Sequence, residues 1–197
     1  MLDWIKNINK EYPEFWKLYL GKFETKSSRY VILNTETTGL NPKKDVILSF
    51  GALGVTSDII RIGDNFEVVI LQYKYLHDND LSNEFLIESK LTKLAEYQAI
   101  QSLVDYIGNA VLVGHRIHFD LEMINDVLEK MDCGKLKNEA LDIEIMHQKF
   151  VDSTKSFSLD DLVTQYKIPE NERNSASDDA YSIALLFLKL KSRLGFK

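Results

Sequence analysis

Residues 31–53 read VILNTETTGLNPKKDVILSFGAL. Two apolar runs, VIL and VILSFGAL, flank a polar stretch that contains Gly39 and Pro42, and this order predicts a strand, a turn and a second strand. The first run is apolar without interruption and has β-branched members, which favours a strand buried on both faces. Ligands commonly bind beyond the ends of such strands in α/β sheets. We therefore expect functional side chains where the first strand enters the turn.

The rest of the chain alternates between strand-like and helix-like patterns. Further strands are predicted at residues 46–55, 65–71 and 110–114, and helices at residues 15–23, 100–107, 121–131, 158–166 and 180–190. The segment from Leu71 to Tyr97 has no sustained period and is predicted to be loop and short helix. The alternation indicates an α/β domain, in which the early strands pair antiparallel beside a parallel part of the sheet.

The composition is that of a globular domain in a reducing compartment. The chain has 197 residues, of which 45% are hydrophobic, and Cys133 as its one cysteine excludes an intramolecular disulfide. No apolar run approaches the ~20 residues that span a bilayer, so we expect a cytoplasmic protein without a membrane partner. The net charge of -6 argues against non-specific coating of nucleic acid but leaves a local nucleic-acid cleft open.

Asn34 and Glu36 lie two residues apart at the predicted exit of the first strand. Side chains alternate between the two faces of a strand, so these two share one face. Glu36 is a candidate metal-binding acid at that position. The alternative is a loop carboxylate that only precedes the Thr-Thr-Gly turn.

Two further acids lie at the starts of predicted helices. Asp120 directly precedes a helical stripe, where its alternative role is an N-cap. Asp179 shares a helix face with core residues, and its alternative is an exposed position in the first turn. If Glu36, Asp120 and Asp179 converge, their oxygens suit hard divalent cations such as Mg²⁺ or Mn²⁺.

Three segments together resemble a known enzyme family. They are VILNTETTGLNPKKDVILSFGAL (31–53), VLVGHRIHFDLEMIN (111–125) and RNSASDDAYSIALLFLKL (173–190). In this order they resemble the three motif blocks of DnaQ-like 3′-5′ exonucleases of the DEDDh type. The resemblance implies a ribonuclease H-like mixed sheet flanked by helices. It also implies stepwise removal of nucleotides from a 3′ end with two Mg²⁺ or Mn²⁺ ions.

The resemblance begins near Tyr30 and continues to the C-terminus. We therefore divide the chain into an N-terminal helical extension that packs on the domain (1–27) and an exonuclease domain (28–197).

The resemblance also assigns roles by position. The expected catalytic and metal-binding acids are Glu36, Asp120 and Asp179. The expected substrate-binding residues are Thr38, Gly39 and Leu40, in the turn that holds the terminal nucleotide, with His115 and Phe119 of the second block. For His115 the alternative is an imidazole that supports the strand exit by hydrogen bonding.

Two positions depart from the family pattern. Asn34 stands where the family has its first acid, which bridges both metals, and its amide offers only one neutral oxygen. Metal binding at Asn34 should therefore be weaker. Asn174 stands where the family has the histidine general base, and an amide cannot take a proton at neutral pH. Loss of a positioned base typically costs ~10²- to 10⁴-fold in rate. Asn174 also suits a cap or turn ahead of the last helix.

These observations leave two hypotheses. The chain is either an exonuclease-family domain that acts on single-stranded DNA or RNA 3′ ends with impaired catalysis, or a non-catalytic module that uses the same fold to bind nucleic acid or a partner protein. Salt-dependent binding of 3′ ends would favour a nucleic-acid role, and salt-independent binding would favour protein docking.

Overall fold

The apolar run at residues 31–33 becomes part of a central strand. The structure is a computed structural model and describes residues 11–72, 90–169 and 175–195. The strands in these ranges are β1 (Arg29–Thr37), β2 (Ile47–Thr56), β3 (Ile59–Ile70), β4 (Lys93–Leu94), β5 (Val111–Gly114) and β6 (Ala140–Asp142). The helices are α1 (Glu14–Gly21), α2 (Glu96–Ile107), α3 (Ile117–Lys130), α4 (Ile143–Val151), α5 (Leu159–Gln165) and α6 (Ala176–Leu194).

The strands form one mixed sheet in the order β4-β3-β2-β1-β5-β6. β1 pairs antiparallel with β2 and parallel with β5, and β2 pairs antiparallel with β3. This arrangement confirms the predicted antiparallel pairing beside a parallel part.

Several element boundaries differ from the sequence prediction. β3 begins at Ile59 rather than at residue 65, because Ser57 and Asp58 adopt left-handed φ values of 52° and 60° and close a two-residue hairpin. β4 and β6 lie where the sequence predicts no strand, since two and three residues are too few to show alternation. Part of the segment predicted as loop and short helix, residues 73–89, lies outside the described ranges.

The two faces of β1 contribute to two different hydrophobic cores. Val31 and Leu33 pack with residues of α1, α2 and α3 in a first core. Ile32 packs with residues of α4, α5 and α6 in a second core. Since side chains alternate along a strand, Asn34 and Glu36 continue the α6 side of β1, and Thr35 continues the α3 side.

Helix α1 belongs to the first core. Its Trp16 and Tyr19 are each 1% exposed, and the Tyr19 hydroxyl donates to Asn138 Oδ1 at 2.7 Å. The same hydroxyl accepts a hydrogen bond from the Lys137 backbone N-H. The boundary between extension and domain at residues 27 and 28 stays a prediction. Within the described ranges, no helix is long and apolar enough to cross a membrane.

The start of α6 lies directly on the backbone of Gly51 in β2. A methyl group at Gly51 would lie 2.2 Å from Ala176 C and from Ser177 N. Ser175 fixes this end of the helix, because its Oγ accepts from the Asp178 N-H and donates to the Asp178 carboxylate. Gly51 pairs with Asn34 across the strands, so the close approach brings the first turn of α6 onto the Asn34 side of β1.

We expect Gly51→Ala to lower the free energy of unfolding by about 1–3 kcal/mol or more, because the added methyl group overlaps backbone atoms that cannot rotate away. Gly63→Ala in β3 is the matched control, since no atom lies within 4 Å of its added methyl group. Urea unfolding of both variants measures the difference. Equal midpoints for the two variants would show that α6 does not rest on Gly51.

Candidate active site at the end of the central strand

Glu36 and Asp179 bring two carboxylates together on the α6 side of β1. Glu36 is the second-to-last residue of β1 and lies opposite Ser49 in β2. Asp179 lies in the first turn of α6. Both side chains are half-buried. Desolvation raises the pKa of Glu36, and the negative charge of Asp179 raises it further. The two groups are therefore close enough to repel each other.

Asn34 completes this face of the strand. It lies two residues before Glu36, pairs with Gly51 and is half-buried. Asn34 and Glu36 thus share one face of β1, as their spacing predicts, and Asp179 of α6 lies on the same side of the sheet.

Asp120 approaches β1 from the other side. It is the fourth residue of α3, whose N-cap is Arg116, so the alternative in which Asp120 caps the helix is wrong. The helix starts four residues earlier than the apolar stripe suggests. Asp120 is 5% exposed, and its Oδ1 accepts from the Thr35 N-H at 3.1 Å and from Thr35 Oγ1 at 2.5 Å. β5 pairs with β1 only as far as Ile32, which leaves the edge at Thr35 open to this carboxylate.

The environment of Asp120 disfavours its charged form. Burial raises its pKa to about 7, although the hydrogen bonds from Thr35 act in the opposite direction. The nearby charge of Asp142, which caps α4 by accepting from the Glu144 N-H, raises it slightly more.

The donor atoms on this side of β1 are oxygens, the ligands that hard divalent cations prefer. Among the described residues, no three His, Cys, Asp or Glu side chains are grouped closely enough to hold an ion. Asp120 instead uses one carboxylate oxygen to bond Thr35. Two repelling carboxylates with an amide oxygen beside them still suit one hard cation. Ser49 Oγ, buried on the same side and without a hydrogen-bond partner among the described residues, adds an unsatisfied polar atom there.

The turn after β1 carries Thr38, Gly39 and Leu40. Asp45 organises it, because its carboxylate accepts from Thr38 Oγ1 at 3.0 Å and from the Asn41 N-H at 2.8 Å. Leu40 is 84% exposed at the tip of the turn. The sequence prediction missed Asp45. The signal that points to Asp45 is its position directly before the second predicted strand, after a stretch with Gly and Pro, where an Asp side chain commonly bonds the backbone of a turn.

His115 and Phe119 lie at the start of α3 but do not belong to the carboxylate group. His115 Nε2-H donates to the Phe157 carbonyl at 2.8 Å, which is the supporting bond that its alternative role requires. Phe119 is half-buried and packs against the first core. Their contact with a substrate stays a prediction.

Glu144 is a buried acid that the sequence prediction missed. Burial alone would raise its pKa, but hydrogen bonds from Arg116, the Phe157 N-H and Ser156 Oγ outweigh burial and lower the pKa to about 2. It ties the start of α3 to the segment before α5. The predicted capping pair of that helix, Ser158 with Asp161, is confirmed. No local pattern points to Glu144, since its partners are distant in sequence.

Asn174 lies outside the described residues, so its expected place beside the carboxylates stays a prediction. The N-cap of α6 is the next residue, Ser175.

An exonuclease family model (RNase_T) matches residues 31–187, which include β1, the turn, α3 and most of α6. The chain belongs to this exonuclease family. It has the ribonuclease H-like fold of DnaQ-like 3′-5′ exonucleases, as the three motif blocks predict.

Two relatives of the chain are DNA polymerase III proteins. The chain is 32% identical over 177 residues to a DNA polymerase III subunit epsilon of Buchnera aphidicola, and the match covers 81% of this chain and 71% of that protein. It is 29% identical over 173 residues to a DNA polymerase III PolC-type of Ureaplasma parvum. That match covers 85% of this chain but 12% of the polymerase, so the chain spans about an eighth of that relative.

The fold is also similar to a solved structure, E. coli exonuclease I in complex with a dT13 oligonucleotide. The TM-score is 0.67 at 17% identity, and the similarity covers 86% of this chain and 42% of exonuclease I.

The raised pKa of Asp120 predicts a pH-dependent stability. Between about pH 4 and pH 7 the folded protein holds a proton that the unfolded chain has lost, so the contribution of Asp120 to the free energy of unfolding falls as the pH rises through this range. Asp120→Asn mimics the protonated acid. Relative to the unmodified protein, this variant should gain about 2 kcal/mol of stability between pH 5 and pH 7.5.

Urea unfolding in buffer with EDTA at both pH values measures this gain. Glu129→Gln, an exposed substitution on the same helix, is the control and should show no such trend. A stability difference between Asp120→Asn and the unmodified protein that stays constant from pH 5 to pH 7.5 would mean that Asp120 is charged throughout.

Proposed function

We propose that this domain holds the 3′ end of single-stranded DNA or RNA at the exit of β1, and that its hydrolysis of the end is impaired by Asn34 and Asn174. The observation that carries the proposal is that the first turn of α6, packed on Gly51, brings Asp179 near Glu36 on the same side of the sheet, where its charge raises the pKa of Glu36. Folding pushes two like charges together at a cost in stability, and a ligand with positive charge removes that cost.

That ligand would be Mg²⁺ or Mn²⁺, held by Glu36 and Asp179 with the amide oxygen of Asn34. When bound, such an ion stabilises charge on the phosphate and activates water. Asn34 supplies no negative charge, so the site should bind an ion more weakly than one with a third carboxylate. Asp120 would join the site only if it gave up its hydrogen bonds to Thr35.

The turn beside the carboxylates suits the terminal nucleotide. Leu40 presents an exposed apolar side chain, and a nucleobase offers an apolar face that such a side chain can cover. A phosphodiester next to that base would then lie near Glu36. The single-stranded oligonucleotide bound to the structurally similar E. coli exonuclease I supports this choice of ligand.

Proton transfer is the second weak point of the site. Asn174 cannot act as a general base, so we expect a loss of ~10²- to 10⁴-fold in rate. Asn34 and Asn174 affect one reaction, so their costs need not add.

A non-catalytic binding role is the second candidate. It is favoured by the position of Asp120, because a carboxylate that stays on Thr35 leaves the metal site with two acids. In that case the domain would retain the 3′ end without cutting it, or would dock a partner protein.

Restoring both family residues separates the two candidates. We expect Asn34→Asp combined with Asn174→His to degrade a 5′-labelled single strand from its 3′ end with Mn²⁺ or Mg²⁺, at least ~10²-fold faster than the unmodified protein. Each single substitution should give a smaller gain. Denaturing gel electrophoresis of the products measures both rate and direction.

The matched control adds Glu36→Gln to the restored protein and should remove the gained activity, which excludes a contaminating nuclease. If the restored protein degrades neither DNA nor RNA single strands although it is folded, the impaired-exonuclease proposal is wrong.

A further inference from the structure

We infer that Asp45 is a positioning residue that fixes Leu40 in place for the 3′-terminal base. This inference rests on the proposed function of the turn at Thr38 to Leu40 and assigns a role to a carboxylate outside the group of predicted site residues. Asp45 acts through the backbone of the turn and touches neither the metal site nor the substrate.

Both carboxylate oxygens of Asp45 are used inside the turn. Oδ1 accepts from Thr38 Oγ1 at 3.0 Å, and Oδ2 accepts from the Asn41 N-H at 2.8 Å. The Thr38 hydroxyl oxygen in turn accepts from the Val46 N-H at 3.1 Å. The carboxylate therefore joins the residue that opens the turn to the residue that follows Leu40.

Gly39 packs against the same carboxylate. A methyl group built on Gly39 would lie 2.7 Å from Asp45 Oδ2 and 2.8 Å from Oδ1. Gly39 carries no left-handed φ. The requirement for glycine at this position is thus one of space, and it shows that the turn is wrapped closely around Asp45.

Leu40 lies between the two residues that Asp45 holds. Its side chain is 84% exposed although its neighbours are fixed on both sides by Gly39 packing and by the Asn41 hydrogen bond. Because the backbone on both sides of Leu40 is already held, a ligand that covers this side chain restricts little further backbone freedom. The arrangement therefore prepares Leu40 for contact with one base at a defined place.

The sign of the charge distinguishes this role from simple electrostatics. A carboxylate close to a polynucleotide repels its phosphates, so its removal alone should strengthen binding. If Asp45 positions Leu40, its removal should weaken the contact with the terminal base. The two explanations predict opposite changes.

The experiment measures binding of two 5′-fluorescein-labelled dT12 probes in buffer with Ca²⁺ in place of Mg²⁺. One probe is complete, and the other lacks the base at its 3′-terminal nucleotide. The ratio of the two dissociation constants reports the contact with the terminal base alone. We expect a ratio of about 10 for the unmodified protein and near 1 for Leu40→Ala.

Asp45→Ala should lower the ratio to about 2, and Asp45→Asn, which keeps one acceptor oxygen, should give an intermediate value. Asp45→Ala added to Leu40→Ala should change the ratio no further, because Asp45 acts through Leu40. Asp105→Ala is the matched control, since it also removes one carboxylate, here the exposed partner of Lys22 on α2. It should keep the ratio near 10.

The outcomes separate this inference from the proposed function. A ratio near 1 for the unmodified protein would overturn both. A ratio near 10 that falls with Leu40→Ala but survives Asp45→Ala and Asp45→Asn would overturn the role of Asp45 and leave the proposed function intact. If Asp45→Ala unfolds the protein, the ratio measured for Asp45→Asn tests the inference. An intermediate ratio supports the role of Asp45, and an equal loss of affinity for both probes would show that Asp45 has a structural role only.

Discussion

The site depends on the contact between the first turn of α6 and the bare backbone of Gly51. No side chain fits between them, since an added methyl group would lie 2.2 Å from two backbone atoms of the helix. This contact sets the height of α6 above the sheet, and with it the distance from Asp179 to Glu36. The repulsion between these carboxylates, visible in the raised pKa of Glu36, is tolerated because packing of α6 in the second core holds the helix there.

The same strand separates the acids into two environments. On the α6 side, Asp179 lies near enough to Glu36 to raise its pKa, and Asn34 shares the strand face of Glu36; this is where we propose that a cation binds. On the α3 side, Asp120 is buried and bonded to Thr35, with a pKa of about 7. The effect of Asn34 follows from this division. With Asp120 bound to Thr35, the α6 side lacks a third carboxylate that could compensate for the missing one.

The sequence was sufficient for features with a local signal. The buried run at β1, the exposed turn after it and the Ser158 cap all follow from patterns within a few residues, and the motif blocks predicted the family. Asp45 also had a local signal, which the prediction missed, whereas Glu144 and the start of α3 could not be predicted in the same way. The partners of Glu144 are distant in sequence. Helix α3 begins at Ile117, directly after Arg116 with its left-handed φ, and the apolar stripe does not indicate this start. Asn174 lies outside the described residues, so the sequence prediction for it stands alone.

Calorimetric titration with Mn²⁺ in the absence of nucleic acid tests the central claim most directly. If Glu36 and Asp179 share a cation beside Asn34, Asn34→Asp should bind Mn²⁺ at least about tenfold more tightly than the unmodified protein, and Glu36→Gln should bind it more weakly. Asp105→Asn, which removes a distant exposed charge, should leave the affinity unchanged. Equal Mn²⁺ affinity in the unmodified protein, Asn34→Asp and Glu36→Gln would contradict the account, because the cation would then bind elsewhere or not at all.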